Sequence, residues 1–330
     1  MCPCGDTPEK DTYDIVVIGG GPAGLSAAIY SARQGWSTAV VAGALGGQAA
    51  WAGKIENYLG WQLVTGAELV ERFREHVSRF DVDCYEGQLV NAIVPTDAGF
   101  DVFTREGTTL HATVIILAAG RAPNRLSVPG EKELVGHGVS YCATCDAAFF
   151  KGKRVVVIGP GESACDAALQ LAKLDAAVTL VSEREPRAHE AVLAKVAAEP
   201  RITLRTGAKV VRIEGTDRVE GVVIADVATG ADKTAGADKT TGADKTRAGE
   251  TIPAEGVFVE LGSISVAEFT GGLVETNDNG EVLVNRRCAT SRPGIYAAGD
   301  VTDGLGKQVI IAAGEGARAA VAADQDLKRG

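Results

Sequence analysis

The sequence lacks any hydrophobic run long enough to cross a membrane. No apolar stretch approaches the ~20 residues that a spanning helix needs. The N-terminal segment MCPCGDTPEKDTYD is polar and does not have the pattern of a secretory signal. We therefore expect a cytoplasmic protein with no membrane partner.

Positive charge is scarce relative to negative charge. The 330 residues include 33 Lys and Arg against 43 Asp and Glu, which gives a formal net charge of −10. Because nucleic acids and anionic membranes bind broad basic surfaces, this balance argues against either as a partner.

Potential metal ligands are few and poorly spaced. The four histidines are scattered, and Cys2-Pro-Cys4 does not have the spacing of a zinc-binding pair. We therefore predict no metal site. An odd number of cysteines in a long chain without a secretory signal favours free thiols or a catalytic pair over a disulfide scaffold. The seven cysteines are Cys2, Cys4, Cys84, Cys142, Cys145, Cys165 and Cys288.

What the chain does contain is the same nucleotide-binding pattern twice, enough for two Rossmann-like domains of the α/β class. In residues 14–43 a β-branched strand leads to Gly19, Gly21 and Gly24 and then to a helical pattern. This spacing permits a tight turn, a close approach of backbone to a pyrophosphate, and packing of helix on strand. The acid that usually closes the second strand and binds the ribose is absent, since the chain has Ala42-Gly43 there.

The second copy lies in residues 153–182 and carries Gly159, Gly161 and Ala164 at the fingerprint positions. Its second strand ends beside Glu183. A carboxylate there would accept hydrogen bonds from the ribose hydroxyls of NAD and repel the additional phosphate of NADP. The alternative is a solvated acid in the charged loop SEREPR.

Further strands are predicted at 114–120, 209–215, 219–227, 256–261 and 294–300, and a closing helix from Val309 to Leu327. The pentad GADKT occurs three times between Gly230 and Thr246 and is too polar to bury a core. We interpret residues 228–249 as a solvated hairpin insertion; a partner-docking loop is the alternative.

The segment YCATCD places Cys142 and Cys145 on one short turn, followed by Asp146. A two-residue spacer closes a small ring that can open and re-form, which is typical of a redox dithiol. A neighbouring carboxylic acid can move the proton that thiol–disulfide exchange requires. Asp146 is positioned for this role, although an acid after a turn also often caps a helix.

Four segments in this order resemble the low-molecular-weight thioredoxin reductases. They are GGGPAGLSAAIYSAR, LGGQAAWAGKIENYLGW, YCATCDAAFFKGK and PGIYAAGDVTDGLGKQVIIAAGEGARAA. The resemblance implies the class II pyridine nucleotide-disulfide oxidoreductase architecture, a homodimer and a thioredoxin-like protein substrate. It implies an FAD domain at 1–121 and 256–330, and a central pyridine-nucleotide-binding-like domain at 122–255 that carries the dithiol.

The resemblance also assigns roles to single residues. Cys145 would face the flavin, and Cys142 would attack the protein substrate. The positions that would contact FAD are Gly19, Gly21, Gly24, Gln48, Asn57, Asp300 and Gln308.

The chain departs from this family where the donor binds. Members that use NADPH carry a cluster HRRxxxR after the second strand of the central domain, whereas this chain has SEREPR. The family's GxxPNT is GSISV here, and Ala147 replaces the usual glycine after the dithiol. NADPH is therefore not expected and NADH is favoured. A ferredoxin or a second flavin nucleotide remains open as donor.

Other functions also remain open. The protein could be an NADH oxidase or peroxiredoxin reductase, or a non-catalytic flavoprotein that responds to redox state. Cys2 and Cys4 could form a second shuttle dithiol, although terminal residues are usually disordered. Cys84 and Cys165 are predicted to be buried small side chains, Cys165 on the inner side of a helix.

Overall fold

The computed structural model describes residues 10–227, 249–265 and 267–329. These residues fall into two compact units. The first takes the described chain up to Ala122 and from Ile264 onward, and the second is Pro123–Ser263. The boundary expected before residue 256 lies instead after residue 263, because the strand at Gly256–Val259 pairs within the sheet of the second unit.

The elements are numbered in chain order. The strands are β1 Thr12–Ile18, β2 Thr38–Ala42, β3 Val82–Glu86, β4 Val90–Thr96, β5 Gly99–Thr104, β6 Thr109–Leu117, β7 Arg121–Pro123, β8 Val139–Ser140, β9 Arg154–Ile158, β10 Ala177–Ser182, β11 Ile202–Thr206, β12 Ala208–Glu214, β13 Gly221–Asp226, β14 Glu250–Pro253, β15 Gly256–Val259, β16 Ser263–Ser265 and β17 Ile295–Ala297. The α-helices are α1 Pro22–Arg33, α2 Gly66–Val77, α3 Ala143–Asp146, α4 Glu162–Lys173, α5 Glu190–Ala198 and α6 Val309–Leu327. Short 3₁₀ turns span Gly47–Trp51, Ala147–Phe150 and Ala267–Thr270.

The first unit is built on a sheet in the order β3-β2-β1-β6-β5-β4, with β17 also paired to β6. Strands β1, β2, β3, β6 and β17 run parallel, and β4 and β5 add an antiparallel edge. Helices α1 and α6 cover one face with alanine-rich surfaces. The carboxyl ends of β1, β6 and β17 therefore lie at one edge of the same sheet.

Close contact between α1 and α6 depends on a glycine. A Cβ at the buried Gly316 of α6 would stand 2.0 Å from the carbonyl oxygen of Ala23 in α1. No side chain fits at that distance, so the small residues of both helices allow the closing helix to pack tightly. The predicted bounds of this helix, Val309 and Leu327, are confirmed.

The second unit has a fully parallel sheet in the order β11-β10-β9-β15-β8. Helices α4 and α5 pack on one face around Leu171, Leu180 and the buried Cys165. The antiparallel sheet β12-β13-β14 covers the other face. This arrangement confirms the predicted α/β class with two Rossmann-like cores.

Some sequence predictions need correction or fall outside the described residues. Cys84 is only half-buried, because it packs at the margin of the core. The predicted strand at 256–261 ends at Val259. The insertion predicted at 228–249 lies outside the described residues except for Gly249, and Cys2 and Cys4 lie outside them too. No helix in the described part of the chain is long and apolar enough to span a membrane.

We expect Gly316→Ala to destabilise the first unit by roughly 1–3 kcal/mol, because the new methyl group overpacks against the backbone of α1. Gly314→Ala on the same helix is the matched control. Its Cβ would meet nothing within 4 Å, so helix propensity should stabilise the protein by roughly 0.5–1 kcal/mol. Thermal unfolding followed by circular dichroism measures both. Equal melting temperatures for the two variants would contradict this account of α1 and α6.

Candidate active site

The two cysteines of YCATCD are joined at the end of β8. Cys142 and Cys145 form a disulfide with a Cα–Cα distance of 5.3 Å. The backbone N–H of Cys145 donates to the carbonyl oxygen of Cys142 at 3.1 Å and lies 3.2 Å from its Sγ. The structure therefore brings the predicted pair together as a disulfide, with Cys142 at the N-cap of α3 and Cys145 within the helix.

Tyr141, directly before the pair, is held by a carboxylate that the sequence analysis missed. Glu131 is only 3% exposed. It accepts hydrogen bonds from the Tyr141 hydroxyl at 2.9 Å and from the backbone N–H groups of Leu126 and Ser127 at 2.9 and 2.7 Å. Burial and the bond to Glu131 raise the pKa of Tyr141 to about 12. Three donors make this buried carboxylate a rigid anchor beside the dithiol.

Asp146 is half-buried at the end of α3. Burial raises the pKa of its carboxyl group, and a hydrogen bond with Ser140 opposes the shift. Its side chain makes no capping bond to the 3₁₀ turn that follows, so the helix-cap alternative is wrong. A carboxyl that keeps its proton above its usual pH range is suited to give that proton to a thiolate.

The glycine turn of the second unit joins β9 to α4. A Cβ at Gly159 would stand 2.2 Å from the carbonyl oxygen of Glu260, so only glycine fits. A Cβ at Gly161 would meet only Ser163 Oγ, at 3.9 Å. No side chain caps the start of α4, and Ala164 is fully buried behind the turn. This open, uncapped helix start fits a nucleotide pyrophosphate.

Glu183 is exposed directly after β10, the strand next to β9. The loop around it is tied to the glycine turn, because the N–H of Arg187 donates to the carbonyl of Pro160 at 2.7 Å. The ends of β10 and β8 are three strand spacings of ~4.8 Å apart in the sheet; Glu183 follows β10, whereas the dithiol follows β8. The structure therefore places Glu183 beside the glycine turn and away from the cysteines.

Glu260, directly after β15, was not singled out from the sequence. One carboxylate oxygen accepts a hydrogen bond from the N–H of Ala143, between the two cysteines, at 3.4 Å. Burial raises the pKa of Glu260 to about 7, and this hydrogen bond opposes the rise. The available signal was a charged residue immediately after a fully buried strand.

The glycine turn of the first unit has the same construction. A Cβ at Gly19, where φ is +117°, would stand 2.2 Å from the carbonyl oxygen of Ala118. A Cβ at Gly24 would stand 1.8 Å from the carbonyl oxygen of Gly19, whereas one at Gly21 would meet nothing within 4 Å. No side chain caps the start of α1. The turn leaves a cradle that fits the pyrophosphate of a dinucleotide such as FAD.

The other four residues assigned to flavin lie in this unit. Asn57 Nδ2 donates to Gln308 Oε1 at 2.9 Å, so the structure brings these two together. The Gln48 side chain donates to the carbonyl of Arg121. Asp300 follows β17, and burial raises the pKa of its carboxyl against the opposing charges of Lys307 and Arg121.

An ion-pair group beside these residues was also missed. Arg121 Nη1 lies 2.6 Å and Lys307 Nζ 3.4 Å from Glu281 Oε1. Lys307 also donates to the backbone carbonyls of Thr302 and Gly304. The three charged side chains hold the segment after β17 in place. No local pattern links residues so far apart in sequence.

The family to which the sequence is similar agrees with the dithiol and the two glycine turns of this site. Residues 13–316 match the family Pyridine nucleotide-disulphide oxidoreductase. The chain belongs to this family. The family is one of flavoprotein oxidoreductases that bind FAD and a pyridine nucleotide, and the two open glycine turns of this chain fit those two groups.

Solved structures similar to this oxidoreductase include two thioredoxin reductases. The one from Streptococcus pyogenes MGAS5005 has a TM-score of 0.86 and 32% identity, covering 98% of this chain and 100% of that one. The one from Giardia duodenalis has a TM-score of 0.84 and 30% identity, covering 97% and 100%. The resemblance predicted from the motifs and the class II fold are thereby confirmed.

The chain is also similar to the F subunits of alkyl hydroperoxide reductases. The Pseudomonas putida protein is 38% identical over 324 residues, and that of Staphylococcus epidermidis strain RP62A is 36% identical over 314 residues. The matches cover 97% and 95% of this chain but 59% of each relative. The oxidoreductase thus spans about three fifths of the length of these relatives.

Proposed function

We propose that this oxidoreductase reduces a disulfide in a thioredoxin-like protein, with electrons from NADH that pass through FAD to Cys142 and Cys145. The observation that carries the proposal is the Cys142–Cys145 disulfide, at the same sheet edge as the second glycine turn. Similarity to thioredoxin reductases over nearly the whole chain supports the choice of partner.

In this proposal FAD binds the first unit and the pyridine nucleotide the second, each at its glycine turn. The amides at the start of α1, beyond Gly19 and Gly21, would hold the FAD pyrophosphate, and Asn57, Gln308, Gln48 and Asp300 would contact the rest of the cofactor. When bound, FAD supplies two-electron transfer between a pyridine nucleotide and a disulfide. The first unit takes the place of the FAD domain expected at 1–121 and 256–330. Strand β15 lies in the second unit instead, which would bind the pyridine nucleotide.

The dithiol then acts by exchange. The Cys142 thiolate attacks the partner disulfide to form a mixed disulfide, and Cys145 displaces the partner by re-forming the bond within α3. Asp146 gives a proton to the leaving sulfur. The pKa of its carboxyl, raised by burial, and its place beside Cys145 support that role. Glu131 accepts a hydrogen bond from Tyr141 and so fixes the position of the backbone that leads into α3.

Glu183 supports NADH as the donor. Its exposed carboxylate follows β10 beside an open pyrophosphate turn, where it can accept bonds from both ribose hydroxyls and repel a 2′-phosphate. Reduced ferredoxin and a second flavin nucleotide are the competing donors. We also propose a cytoplasmic homodimer, as the resemblance to thioredoxin reductases implies.

A peroxiredoxin-type protein is the second candidate partner. The similarity to the alkyl hydroperoxide reductases favours it, at 38% identity for the Pseudomonas putida protein. The same dithiol would serve, because a peroxiredoxin disulfide is reduced by the same exchange reaction. Turnover with a peroxiredoxin and hydroperoxide, but not with thioredoxin, would select this candidate.

Cys142→Ser should abolish turnover of thioredoxin or insulin disulfide, by about a thousandfold or more, because no mixed disulfide can form without that thiolate. Cys165→Ser, at a buried cysteine on α4, is the control and should leave turnover nearly unchanged. The assay follows oxidation of the donor with purified protein. Full turnover by the Cys142 variant would rule out the proposed reaction.

The two glycine turns provide a matched test of cofactor placement. Gly21→Ala should weaken flavin retention roughly tenfold, about 1.4 kcal/mol, because the methyl group projects into the proposed pyrophosphate site and touches no other protein atom. Gly161→Ala should keep the flavin and raise KM for the pyridine nucleotide. Flavin absorbance per protein and steady-state kinetics measure the two effects. Loss of flavin from the Gly161 variant instead would reverse the assignment.

Glu183→Arg should reverse the donor preference. Removing the acceptor for the ribose hydroxyls and adding a cation should lower kcat/KM for NADH about tenfold and raise it for NADPH. Glu185→Arg, two residues further along the same exposed loop, makes the same charge change and should have little effect. Anaerobic bleaching of the flavin by NADH, NADPH or reduced ferredoxin measures donor choice directly. Bleaching of the unmodified protein by NADPH alone would contradict the role given to Glu183.

A further inference from the structure

Glu260 lies between the two reactive parts of the second unit. Strand β15 pairs with β9 on one side and β8 on the other, and all three run parallel. Their ends at one edge lead to the glycine turn at Gly159, to Glu260 and to Cys142. The order of strands therefore places this carboxylate between the proposed nucleotide site and the dithiol.

Both its backbone and its side chain make contacts across that edge. The N–H of Glu260 donates to the carbonyl of Ile158 at 2.8 Å, and its own carbonyl packs against Gly159. The carboxylate accepts from the N–H of Ala143 at 3.4 Å. Ala143 follows Cys142, so the charge of Glu260 acts directly on the turn that holds both sulfur atoms.

No cation balances this carboxylate among the described residues. No basic side chain in residues 10–227, 249–265 and 267–329 forms an ion pair with it. The titratable groups at the N-cap of the neighbouring α3 and within it are Cys142, Cys145 and Asp146. On α4, Glu162 accepts a bond from the N–H of His189. Burial, not a neighbouring charge, therefore raises the pKa of Glu260 to about 7, so its carboxyl loses its proton near neutral pH.

We propose that Glu260 is a positioning residue that binds a proton when the Cys142–Cys145 disulfide is reduced and releases it when the disulfide re-forms. Its carboxylate accepts a hydrogen bond from the Ala143 amide, and it acts on the two sulfur atoms through charge. A thiolate on this turn and the Glu260 carboxylate that binds the turn's Ala143 amide repel each other, so the reduced state favours a protonated Glu260. The inference rests on reduction of this disulfide but not on which donor or partner is used.

The protons and electrons balance as follows. Two electrons, from flavin in the enzyme or from dithiothreitol in a test, break the Sγ–Sγ bond. One sulfur takes a proton and becomes a thiol, and the other remains a thiolate. A second proton from solvent binds Glu260. When a partner disulfide takes the two electrons, the Sγ–Sγ bond re-forms and both protons leave.

The pH dependence of thiol reactivity tests the proposal. Holoenzyme is reduced anaerobically with dithiothreitol and desalted, and iodoacetamide alkylation of Cys142 is timed from pH 5 to 10 by peptide mass spectrometry. The unmodified protein should require two apparent pKa values, because thiol and carboxyl titrate together. Glu260→Gln should lose one step and alkylate roughly threefold faster or more at pH 7.5, since the repelling charge is gone.

Two further variants complete the design. Glu255→Gln removes the same charge at the other end of β15, where Glu255 is exposed, and should behave like the unmodified protein. Glu260→Asp keeps a carboxyl and should keep two steps, which preserves the test if the Gln variant folds poorly. If the profile of Glu260→Gln matches that of the unmodified protein, or if Glu255→Gln has an equal effect, the role of Glu260 is overturned while the dithiol function still stands. Failure of either active-site cysteine to alkylate after reduction would also overturn the dithiol function.

Discussion

In both units a glycine directly after one strand lies against a backbone carbonyl of the residue directly after the neighbouring parallel strand. The Cβ that Gly19 or Gly159 lacks would stand 2.2 Å from the carbonyl oxygen of Ala118 or of Glu260. This contact lets the chain turn at once into a helix whose uncapped N–H groups face open space at the sheet edge. The rest of the site in the second unit depends on that edge, because the dithiol lies there and so does Glu183, the proposed partner of the ribose of the donor.

The carboxylates near the dithiol differ in how they are compensated. Glu131 accepts three good hydrogen bonds and acts as a fixed support for Tyr141. Glu260 accepts one long bond at 3.4 Å and has no ion-pair partner among the described residues, so burial keeps its proton until about pH 7. A compensated carboxylate gives rigidity, whereas an uncompensated one exchanges protons. Glu131 supports Tyr141, directly before Cys142, whereas Glu260, which exchanges a proton in the proposal above, binds the amide of Ala143, directly after Cys142.

The features that sequence predicts well are those encoded in short patterns. Both glycine turns, the Cys142–Cys145 pair and the helix Val309–Leu327 follow from local spacing and residue type. The bond between Asn57 and Gln308 joins residues 251 positions apart, and no local pattern encodes it. Glu260 was read as part of a strand because apolar patterns do not mark where a strand ends. The half-exposed Cys84 was mispredicted for a related reason, since burial is decided by packing at the core margin.

The central claim is that electrons from a bound donor reach the Cys142–Cys145 pair. The most direct measurement is anaerobic addition of one equivalent of NADH to the oxidised holoenzyme, followed by alkylation and mass spectrometry of the peptide that carries both cysteines. The account predicts two alkyl groups on that peptide and a flavin that returns to its oxidised spectrum. A peptide that keeps its disulfide while the flavin stays bleached would contradict it.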